Sequence, residues 1–321
     1  MKTVVHNILV TGANGFVGRA LCELLIAHGM SVTAAIRNEA GMQDDRFSSI
    51  PVGDIDGNTR WDEALKNIDC VVHLAARVHV MNESASNPLE EFRRVNCEGS
   101  GKLARDAATA GVKRLIYLST IKVNGELTDG EPFTEQVNSA PSDPYGVSKW
   151  EAENLLRQIS SETGMEVVII RPPLVYGPGV KGNFLTLLKS VSKGVPLPFA
   201  LVNNRRSLVA LANLVDMIRE CVTNPMAANE TFLVSDGEDL STAELIRNIA
   251  EAMGKSPRLL PLPPRWLIAG ASIAGKKALA NRLLGSLQVD SGKAGRVLGW
   301  QPPQRVAQGV ARVVDWYEKR G

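Results

Sequence analysis

The segment TGANGFVG at residues 11–18 constrains the fold more than any other part of the sequence. Its glycines are Gly12, Gly15 and Gly18; an apolar run ends just before it, and leucines recur at helical spacing after it. Glycine allows a positive φ and lets the backbone approach a ligand closely, and the N-terminus of a helix attracts anions. The order of strand, glycine loop and helix therefore predicts a phosphate-binding turn rather than a purely structural one.

Short, nearly continuous apolar runs alternate with amphipathic stretches through the first half of the chain. The runs cover residues 7–12, 31–36, 70–76, 114–120 and 166–172. Such runs are typical of buried parallel strands, and their alternation with helical patterns indicates βαβ units. We therefore predict an α/β fold: a doubly wound parallel sheet of the Rossmann type, with a smaller, mixed α/β C-terminal domain.

The pattern changes after about residue 177, which suggests a domain division. We assign residues 1–176 and about 207–235 to the Rossmann domain, and residues 177–206 and 236–321 to the second domain. Helices are predicted over residues 184–194, 207–222 and 241–254, and a strand over residues 230–237. Ser241 followed three residues later by Glu244 is a capping-box pattern, which marks the start of the third of these helices.

The segment WLIAGASIAG at residues 266–275 is apolar and rich in small residues, and two lysines follow it. It is either a foot on a membrane surface or a buried helix of the second domain. Because the segment is short and only moderately apolar, we expect the buried helix.

The composition of the 321 residues excludes several classes of protein. Hydrophobic residues make up 44% and charged residues 22%, and the formal net charge is only +2. We expect no nucleic-acid partner, because no strong positive field is present, and no integral membrane segment, because no run of about 18 apolar residues occurs. The N-terminal sequence lacks the layout of a signal peptide, which favours a cytoplasmic location. The cysteines and histidines show no ligand spacing, so we expect no metal.

The segment YGVSK at residues 145–149 carries the first candidate chemistry. Tyr145 and Lys149 are four residues apart, so on a helix they share a face. A nearby ammonium lowers a tyrosine pKa from its usual value of about 10, so that the pair can give or take a proton near neutral pH. Thr120, at the end of an apolar run, is placed to bond a reacting oxygen, and Ser119 is a lesser candidate. Either hydroxyl could instead cap a turn.

Together these motifs resemble the extended short-chain dehydrogenases/reductases, and within them the NAD-dependent epimerase/dehydratase family that acts on nucleotide sugars. The resemblance rests on TGANGFVG, YGVSK and five further segments: GDI (53–55), HLAA (73–76), VNCEG (95–99), LSTIKVNG (118–125) and RPPLVYGPG (171–179). It implies an enzyme whose catalytic residues are Thr120, Tyr145 and Lys149.

The resemblance also implies where the cofactor and a UDP-sugar substrate bind. For the cofactor it points to Gly12, Asn14, Gly15, Phe16, Val17, Gly18, Arg37, Asp54, Ile55, Leu74, Ala75, Ala76, Asn96, Tyr145, Lys149 and Pro172. For the substrate, bound largely by the second domain, it points to Ser119, Thr120, Tyr145, Asn183, Arg206 and Arg282. Arg205 could replace Arg206, whose fixed fork of donors suits a diphosphate. The assembly expected is a homodimer.

The sequence departs from the family pattern at three places. Ile36 stands where NAD-specific members carry an acid for the ribose 2′-hydroxyl, and Arg37 follows it, which favours NADP(H) over the alternative, NAD(H), unless Arg37 only faces solvent. Ile121 and Lys122 stand where sugar 4,6-dehydratases of the family place Asp and Glu, so we disfavour dehydration. Leu174 replaces an Asn that many members hold near the substrate phosphates.

These features lead to three hypotheses about function. The first is a 4-ketoreductase of a UDP-4-keto-6-deoxy-hexosamine in the biosynthesis of a surface polysaccharide such as O-antigen, because a reductase needs the NADPH pool. The second is a UDP-glucose or UDP-N-acetylglucosamine 4-epimerase, which needs almost the same residues. The third is a non-catalytic dinucleotide-sensing protein; the complete set of Thr120, Tyr145 and Lys149 argues against it.

Overall fold

A computed structural model describes residues 5–38, 46–78, 87–137, 140–273, 275 and 277–320. The first four residues, His79, position 274 of the apolar segment and Lys276 directly after that segment lie outside this part of the chain. The described strands are β1 (Asn7–Thr11), β2 (Ser31–Ile36), β3 (Ser48–Pro51), β4 (Cys70–His73), β5 (Arg114–Leu118), β6 (Glu166–Arg171), β7 (Leu174–Tyr176), β8 (Arg206–Ala210), β9 (Thr231–Leu233) and β10 (Asp239–Leu240).

The helices lie between these strands and after them. They are α1 (Phe16–Ala27), α2 (Pro88–Arg93), α3 (Ser100–Thr109), α4 (Pro144–Thr163), α5 (Gly182–Ser192), α6 (Leu211–Thr223), α7 (Thr242–Ala252), α8 (Pro264–Ile273), α9 (Lys277–Leu284), α10 (Gly292–Leu298) and α11 (Val306–Glu318). A π-helical stretch, Arg94–Gly99, joins α2 to α3, and a 3₁₀ turn, Ile121–Val123, follows β5.

The larger sheet confirms the predicted Rossmann fold. Its seven strands are parallel and lie in the order β3-β2-β1-β4-β5-β6-β9. The strand order reverses between β1 and β4, and ligands of open α/β sheets bind in the crevice at that point, beyond the carboxyl ends of the strands. The glycine loop follows β1 at this edge of the sheet.

Burial follows from the alternation of side chains along the strands. Leu9 and Val10 are neighbours in β1, yet they belong to two different apolar clusters, one on each face of the large sheet. A third cluster, with Tyr176, Phe184 and Val310 among its members, lies around a small mixed sheet. In that sheet β7 pairs parallel with β8, and β10 pairs antiparallel with β8.

Several local predictions can be compared with these elements. The capping box of α7 is confirmed: the Glu244 amide donates to the Ser241 hydroxyl at 3.1 Å, and the Ser241 amide donates to the Glu244 carboxylate at 2.8 Å. The helix predicted over residues 207–222 is wrong in its first turn. Those residues form β8, because their backbone pairs with strands on both sides, and α6 begins only at Leu211.

The prediction of a buried helix at residues 266–275 is also wrong. Helix α8 forms, but it has no buried residue, and Trp266 and Ile273 are largely exposed. The division of the chain into two domains stays a prediction. Strands β7 and β8 both pair in the small sheet, although residues 174–176 and 207–210 were assigned to the Rossmann domain.

Candidate active site

The glycine loop has the shape that its sequence predicts. Gly12 has a φ of +67°, and a Cβ there would lie 2.9 Å from the amide nitrogen of Ala75. A Cβ on Gly18 would collide with the Gly12 carbonyl oxygen, so only glycine lets α1 start this close to the loop. No side chain caps the N-terminus of α1 at Gly15. A bare backbone turn that leads into an uncapped helix fits the diphosphate of a dinucleotide.

The carboxyl ends of β1 and β4 are joined by a buried network. Thr11 Oγ1 lies 2.6 Å from His73 Nδ1 and also accepts from the Ala75 amide at 3.2 Å. The Ser100 hydroxyl donates to the Asn96 carbonyl, so its oxygen accepts from His73 Nε2 at 2.9 Å. Burial, assisted by the charge of Lys149, lowers the pKa of His73 to about 3, so the ring is neutral. The network therefore fixes the carboxyl ends of β1 and β4 to each other and to the start of α3.

Lys149 is buried and directed at the end of β5. Its Nζ donates to the Leu118 carbonyl oxygen at 2.8 Å and lies 3.9 Å from the centroid of the Tyr117 ring. Burial lowers the pKa of Lys149 to about 7, against the opposing charge of Glu153. The amine is thus placed to exchange its proton near neutral pH.

The expectation that Lys149 lowers the pKa of Tyr145 is wrong in this arrangement. Burial, and after it the negative charge of Asp143, raise the pKa of Tyr145 to about 12. An amine whose own pKa is about 7 is only partly charged near neutral pH, so it favours tyrosinate weakly. With a pKa of about 12, the phenol of Tyr145 is protonated near neutral pH and can donate its proton. Its ring meets the Phe92 ring edge-on, with the centroids 5.9 Å apart.

Thr120 lies directly after β5 and caps the 3₁₀ turn that follows. Its Oγ1 accepts from the Lys122 amide at 3.3 Å, the capping role that the sequence left open beside a catalytic one. The turn touches the start of α4, since Lys122 Nζ lies 3.0 Å from Asp143 Oδ2 and a Cβ on Gly146 would lie 2.9 Å from the Lys122 carbonyl oxygen. The structure thereby brings the segment of Thr120 against the turn of α4 that holds Tyr145.

Ser119 is engaged elsewhere. Its buried hydroxyl donates to Glu153 Oε1 at 2.6 Å, and Arg171 binds the same carboxylate through Nε at 2.9 Å and Nη2 at 2.6 Å. Neither Glu153 nor Arg171 was predicted from the sequence. The sequence did contain a signal for Glu153. It follows Lys149 by four residues, so the two share one face of the same helix.

Asn96 lies in the π-helical stretch, a geometry often found at functional sites. Its buried amide donates to the Ser148 hydroxyl and to the Arg77 carbonyl, both at 3.0 Å, and its oxygen accepts from the Arg77 amide at 2.8 Å. Asn96 therefore fixes the segment after β4 against α4. The remaining predicted cofactor residues lie in the glycine loop and first turn of α1 (Asn14, Phe16, Val17), after β4 (Leu74, Ala75, Ala76), after β3 (Ile55) and after β6 (Pro172).

Arg37 follows β2, and its partner is another predicted cofactor residue. Arg37 Nε lies 2.9 Å from Asp54 Oδ1, and both side chains are largely exposed. The sequence predicted a free cation at this place, whereas the structure shows a cation accompanied by a carboxylate. The predicted preference for NADP(H) stays a prediction.

The three predicted substrate residues of the second part of the chain line one cavity. This cavity, of about 140 Å³, is bordered by Asn183, Arg206 and Arg282 together with apolar side chains that include Leu174. Arg206 Nη1 donates to the Gly285 carbonyl at 2.9 Å, and burial together with the charge of Arg282 lowers the pKa of Arg206. None of the described lining residues is acidic. The cavity therefore has two positive charges and no carboxylate to neutralise them, which suits the binding of an anion.

A larger cavity, of about 1020 Å³, starts at the glycine loop and extends along α1, α6 and α11. Its lining includes Asn14, Gly15 and Phe16 but neither Tyr145 nor Lys149. The larger cavity is therefore not lined by these two predicted catalytic residues.

The geometry can be compared with known proteins. The model of the NAD dependent epimerase/dehydratase family matches residues 8–235. The chain belongs to this family. It is an enzyme of the extended short-chain dehydrogenase type, so the hypothesis of a non-catalytic sensor is set aside.

Two relatives and one solved structure illustrate the similarity. A UDP-glucose 4-epimerase of Vibrio cholerae is 47% identical over 98% of this chain and 96% of its own length. The N-acetyl-alpha-D-glucosaminyl-diphospho-ditrans,octacis-undecaprenol 4-epimerase of Escherichia coli O157:H7 is 28% identical over 97% and 95%. The dTDP-glucose 4,6-dehydratase DesIV of Streptomyces venezuelae, solved with NAD and TYD bound, is 25% identical, with a TM-score of 0.77 and coverage of 98% and 97%. In the described part of this chain, no helix is both long and apolar enough to cross a membrane.

Proposed function

We propose that the protein is a 4-epimerase of a UDP-hexose that keeps a bound NAD(H). The observation that carries the proposal is the joint placement of two sites. Tyr145, Lys149 and the segment of Thr120 meet at the carboxyl end of β5, and Arg206 and Arg282 line a separate cavity that suits a diphosphate. The 47% identity to a UDP-glucose 4-epimerase over nearly the whole chain supports this choice among reactions at C4.

In the proposed reaction, cofactor binding and proton transfer fall to different residues of the chain. The glycine loop would hold the diphosphate of the dinucleotide. When bound, the dinucleotide would supply the group that accepts the hydride from C4 and gives it back. Tyr145 Oη would take the proton of the C4 hydroxyl as its own phenol proton passes toward Lys149, and both transfers would reverse when the proton is returned. Thr120 Oγ1 would bond the same oxygen. Lys149, whose pKa of about 7 leaves part of the amine neutral near neutral pH, would accept that proton.

The anchoring of the substrate is remote from the reacting carbon. Arg206 and Arg282 would bind the diphosphate, and the apolar side chains around Leu174 would exclude water. An epimerase must present both faces of C4 to the same hydride carrier, so the sugar has to turn while the diphosphate stays bound. A strong remote anchor serves such a reaction, because remote binding energy can be used at the reacting centre.

The second candidate is the 4-ketoreductase of a UDP-4-keto-6-deoxy-hexosamine. Arg37 favours it, since a cation after β2 suits the 2′-phosphate of NADPH, and a reductase consumes that cofactor. Asp54 weakens this argument, because its carboxylate lies 2.9 Å from Arg37 and would repel a phosphate. For this reason we place the epimerase first and NAD(H) before NADP(H).

One experiment separates the two reactions. The purified protein is incubated with UDP-glucose, UDP-N-acetylglucosamine and a UDP-4-keto-6-deoxy-hexosamine, each with NAD(H) and with NADP(H). We expect isomerised UDP-hexose without net change in cofactor absorbance. Stoichiometric oxidation of NADPH with the keto sugar, and no isomerisation of either hexose, would instead establish the reductase and reject the proposal.

A further inference from the structure

Helix α8 exposes apolar side chains that a globular protein ordinarily buries. Trp266 is 63% exposed and Ile273 is 90% exposed, and no residue of the helix is buried. Pro264, Leu267 and Ala271 are half-buried, so this side of the helix lies toward the protein. Trp266, at one end, and Ile273, seven residues later, share the opposite side, since residues seven apart in a helix lie on one face.

The exposed apolar surface extends beyond α8. Of the ten large apolar side chains that are exposed in the described part of the chain, six lie in the segments 195–201 and 260–273. These segments are hydrogen-bonded to each other: the Leu260 amide donates to the Leu197 carbonyl at 2.8 Å, and the Ala200 amide donates to the Leu260 carbonyl at 3.2 Å. We call this surface the α8 patch; it consists of Val195, Leu201, Leu260, Trp266, Ile268 and Ile273.

The stretch of sequence that contains α8 carries charges of one sign. Residues 252–289 contain no Asp or Glu, although the whole chain has 34 acidic residues. The same 38 positions (252 to 289) carry six basic residues: Lys255, Arg258, Arg265, Lys276, Lys277 and Arg282. Because the net charge of the chain is only +2, this basic stretch is a local feature and not the result of a basic protein.

We propose that the α8 patch docks the protein on the surface of an anionic lipid bilayer. A helix with one apolar side, an exposed tryptophan and flanking basic residues is suited to lie in the plane of the headgroups. Each basic residue near an anionic leaflet adds to the attraction. A second protein is the less fitting occupant, because a protein partner would need an acidic, apolar surface of matching shape, whereas anionic lipids supply both properties anywhere on the bilayer.

The α8 patch is close in the chain to residues that line the predicted substrate cavity, which suggests a role for the docking. Helix α9 follows α8 directly in the chain, and Arg282 and Leu283 at its end line the cavity that contains Arg206. Docking through α8 would therefore hold the segment that closes this cavity close to the headgroups. The docking itself does not depend on which sugar the enzyme uses.

The test is sedimentation of the full-length protein with vesicles of phosphatidylcholine alone and of phosphatidylcholine mixed with phosphatidylglycerol. We expect binding to the anionic vesicles, weaker binding as sodium chloride is added, and a blue shift of tryptophan emission that is lost in Trp266→Phe. The double variant Trp266→Ser/Ile273→Ser should bind roughly tenfold less or worse, because two large side chains no longer enter the interface. Met226→Ser removes an exposed apolar side chain outside the α8 patch and should bind like the unmodified protein.

Three outcomes would overturn the proposal. The first is equal binding to neutral and anionic vesicles, or none to either. The second is unchanged vesicle binding by a double variant whose circular dichroism shows it to be folded. The third is a loss of oligomeric mass in light scattering for the double variant without any loss of vesicle binding, which would make the α8 patch a contact between copies of the chain.

Discussion

Arg171 and Glu153 form an ion pair with almost no exposed surface, in which Nε meets Oε1 at 2.9 Å and Nη2 meets Oε2 at 2.6 Å. The same carboxylate accepts from Ser119 at 2.6 Å and from the half-exposed Arg157 at 3.0 Å. Through Glu153, helix α4 is fastened to the ends of β5 and β6. The pair thereby helps to position the side chains of α4 that we propose to be catalytic.

Removal of one partner of this pair should destabilise the fold strongly. Arg171→Met leaves a buried carboxylate without its main counter-ion, and such losses typically amount to about 3–5 kcal/mol. Arg157→Met removes an outer contact of the same carboxylate and should lower the free energy of unfolding by about 1 kcal/mol or less. Urea unfolding of both variants measures the difference. Equal losses would show that burial of the pair does not matter.

Tyr145→Phe should abolish most of the turnover without loss of the fold. The change removes only the hydroxyl, and general acid–base catalysis typically contributes about 10²–10⁴-fold. Thermal unfolding and dinucleotide binding should stay near those of the unmodified protein. Tyr317→Phe, in α11, is the control for removal of a tyrosine hydroxyl outside the site. If Tyr145→Phe keeps nearly full turnover, another group moves the proton.

Arg206→Ala should raise the KM for the UDP-sugar roughly tenfold or more, because a charged hydrogen bond to a phosphate is lost. The effect on dinucleotide binding should be small, since the cavity of Arg206 does not include the glycine loop. Arg205 precedes Arg206 but is exposed, so Arg205→Ala is the matched control and should leave the KM unchanged. The opposite result would exchange the roles of the two arginines.

The pair of Arg37 and Asp54 should govern the choice between the two dinucleotides. Arg37→Ala should weaken binding of NADP(H) roughly tenfold or more, and that of NAD(H) little, because only NADP(H) brings a 2′-phosphate. Asp54→Asn removes the carboxylate beside Arg37 and should strengthen NADP(H) relative to NAD(H). Fluorescence titration of both reduced cofactors decides this. Parallel changes for both cofactors would mean that the pair faces solvent only.

His73 should make stability depend on pH in the acid range. Its pKa is about 3 in the folded protein and about 6.5 in an exposed histidine. Between these values the unfolded chain binds a proton that the folded protein does not, so the free energy of unfolding falls as the pH falls from 6.5, by at most about 1.4 kcal/mol per pH unit. Above pH 6.5 the contribution is constant.

Two measurements check this dependence. His73→Gln, provided that it folds, should flatten the acid side of the stability curve, whereas His28→Gln at the exposed end of α1 should not. Independently, an NMR titration of the unmodified protein should show the ring of His73 neutral at pH 5. A ring that titrates near its ordinary pKa contradicts the buried network of Thr11 and Ser100.

The strands of the Rossmann sheet could be predicted from the sequence because their signal is local. The predicted run at residues 31–36 coincides with β2, and the run at 166–172 differs from β6 by one residue. The first turn of the predicted 207–222 helix failed because SLVA suits either element, and only pairing with β7 and β10 decides for a strand. Helix α8 was predicted correctly as a helix, but its burial depends on neighbours far away in the sequence.

In the candidate site, too, the local features could be predicted from the sequence and the long-range contacts could not. Spacing alone placed Tyr145 and Lys149 on one face of α4, and the motifs indicated Thr120, Asn183 and Arg206. The pKa of Tyr145 could not be predicted, since it depends on the depth of burial and on Asp143. The pairing of Arg37 with Asp54 could not be predicted either, because the two residues are 17 positions apart and follow different strands.

Helix α4 carries Tyr145, Lys149 and Glu153 at successive intervals of four residues, so a single stripe runs from the reacting groups into the ion pair with Arg171. A partial opening that frees Tyr145 and Lys149, the proposed reacting groups, would have to break the buried ion pair as well. Activity and structure should therefore disappear in the same cooperative step on heating. The amide protons around Lys149 should exchange with solvent only at the rate of global unfolding.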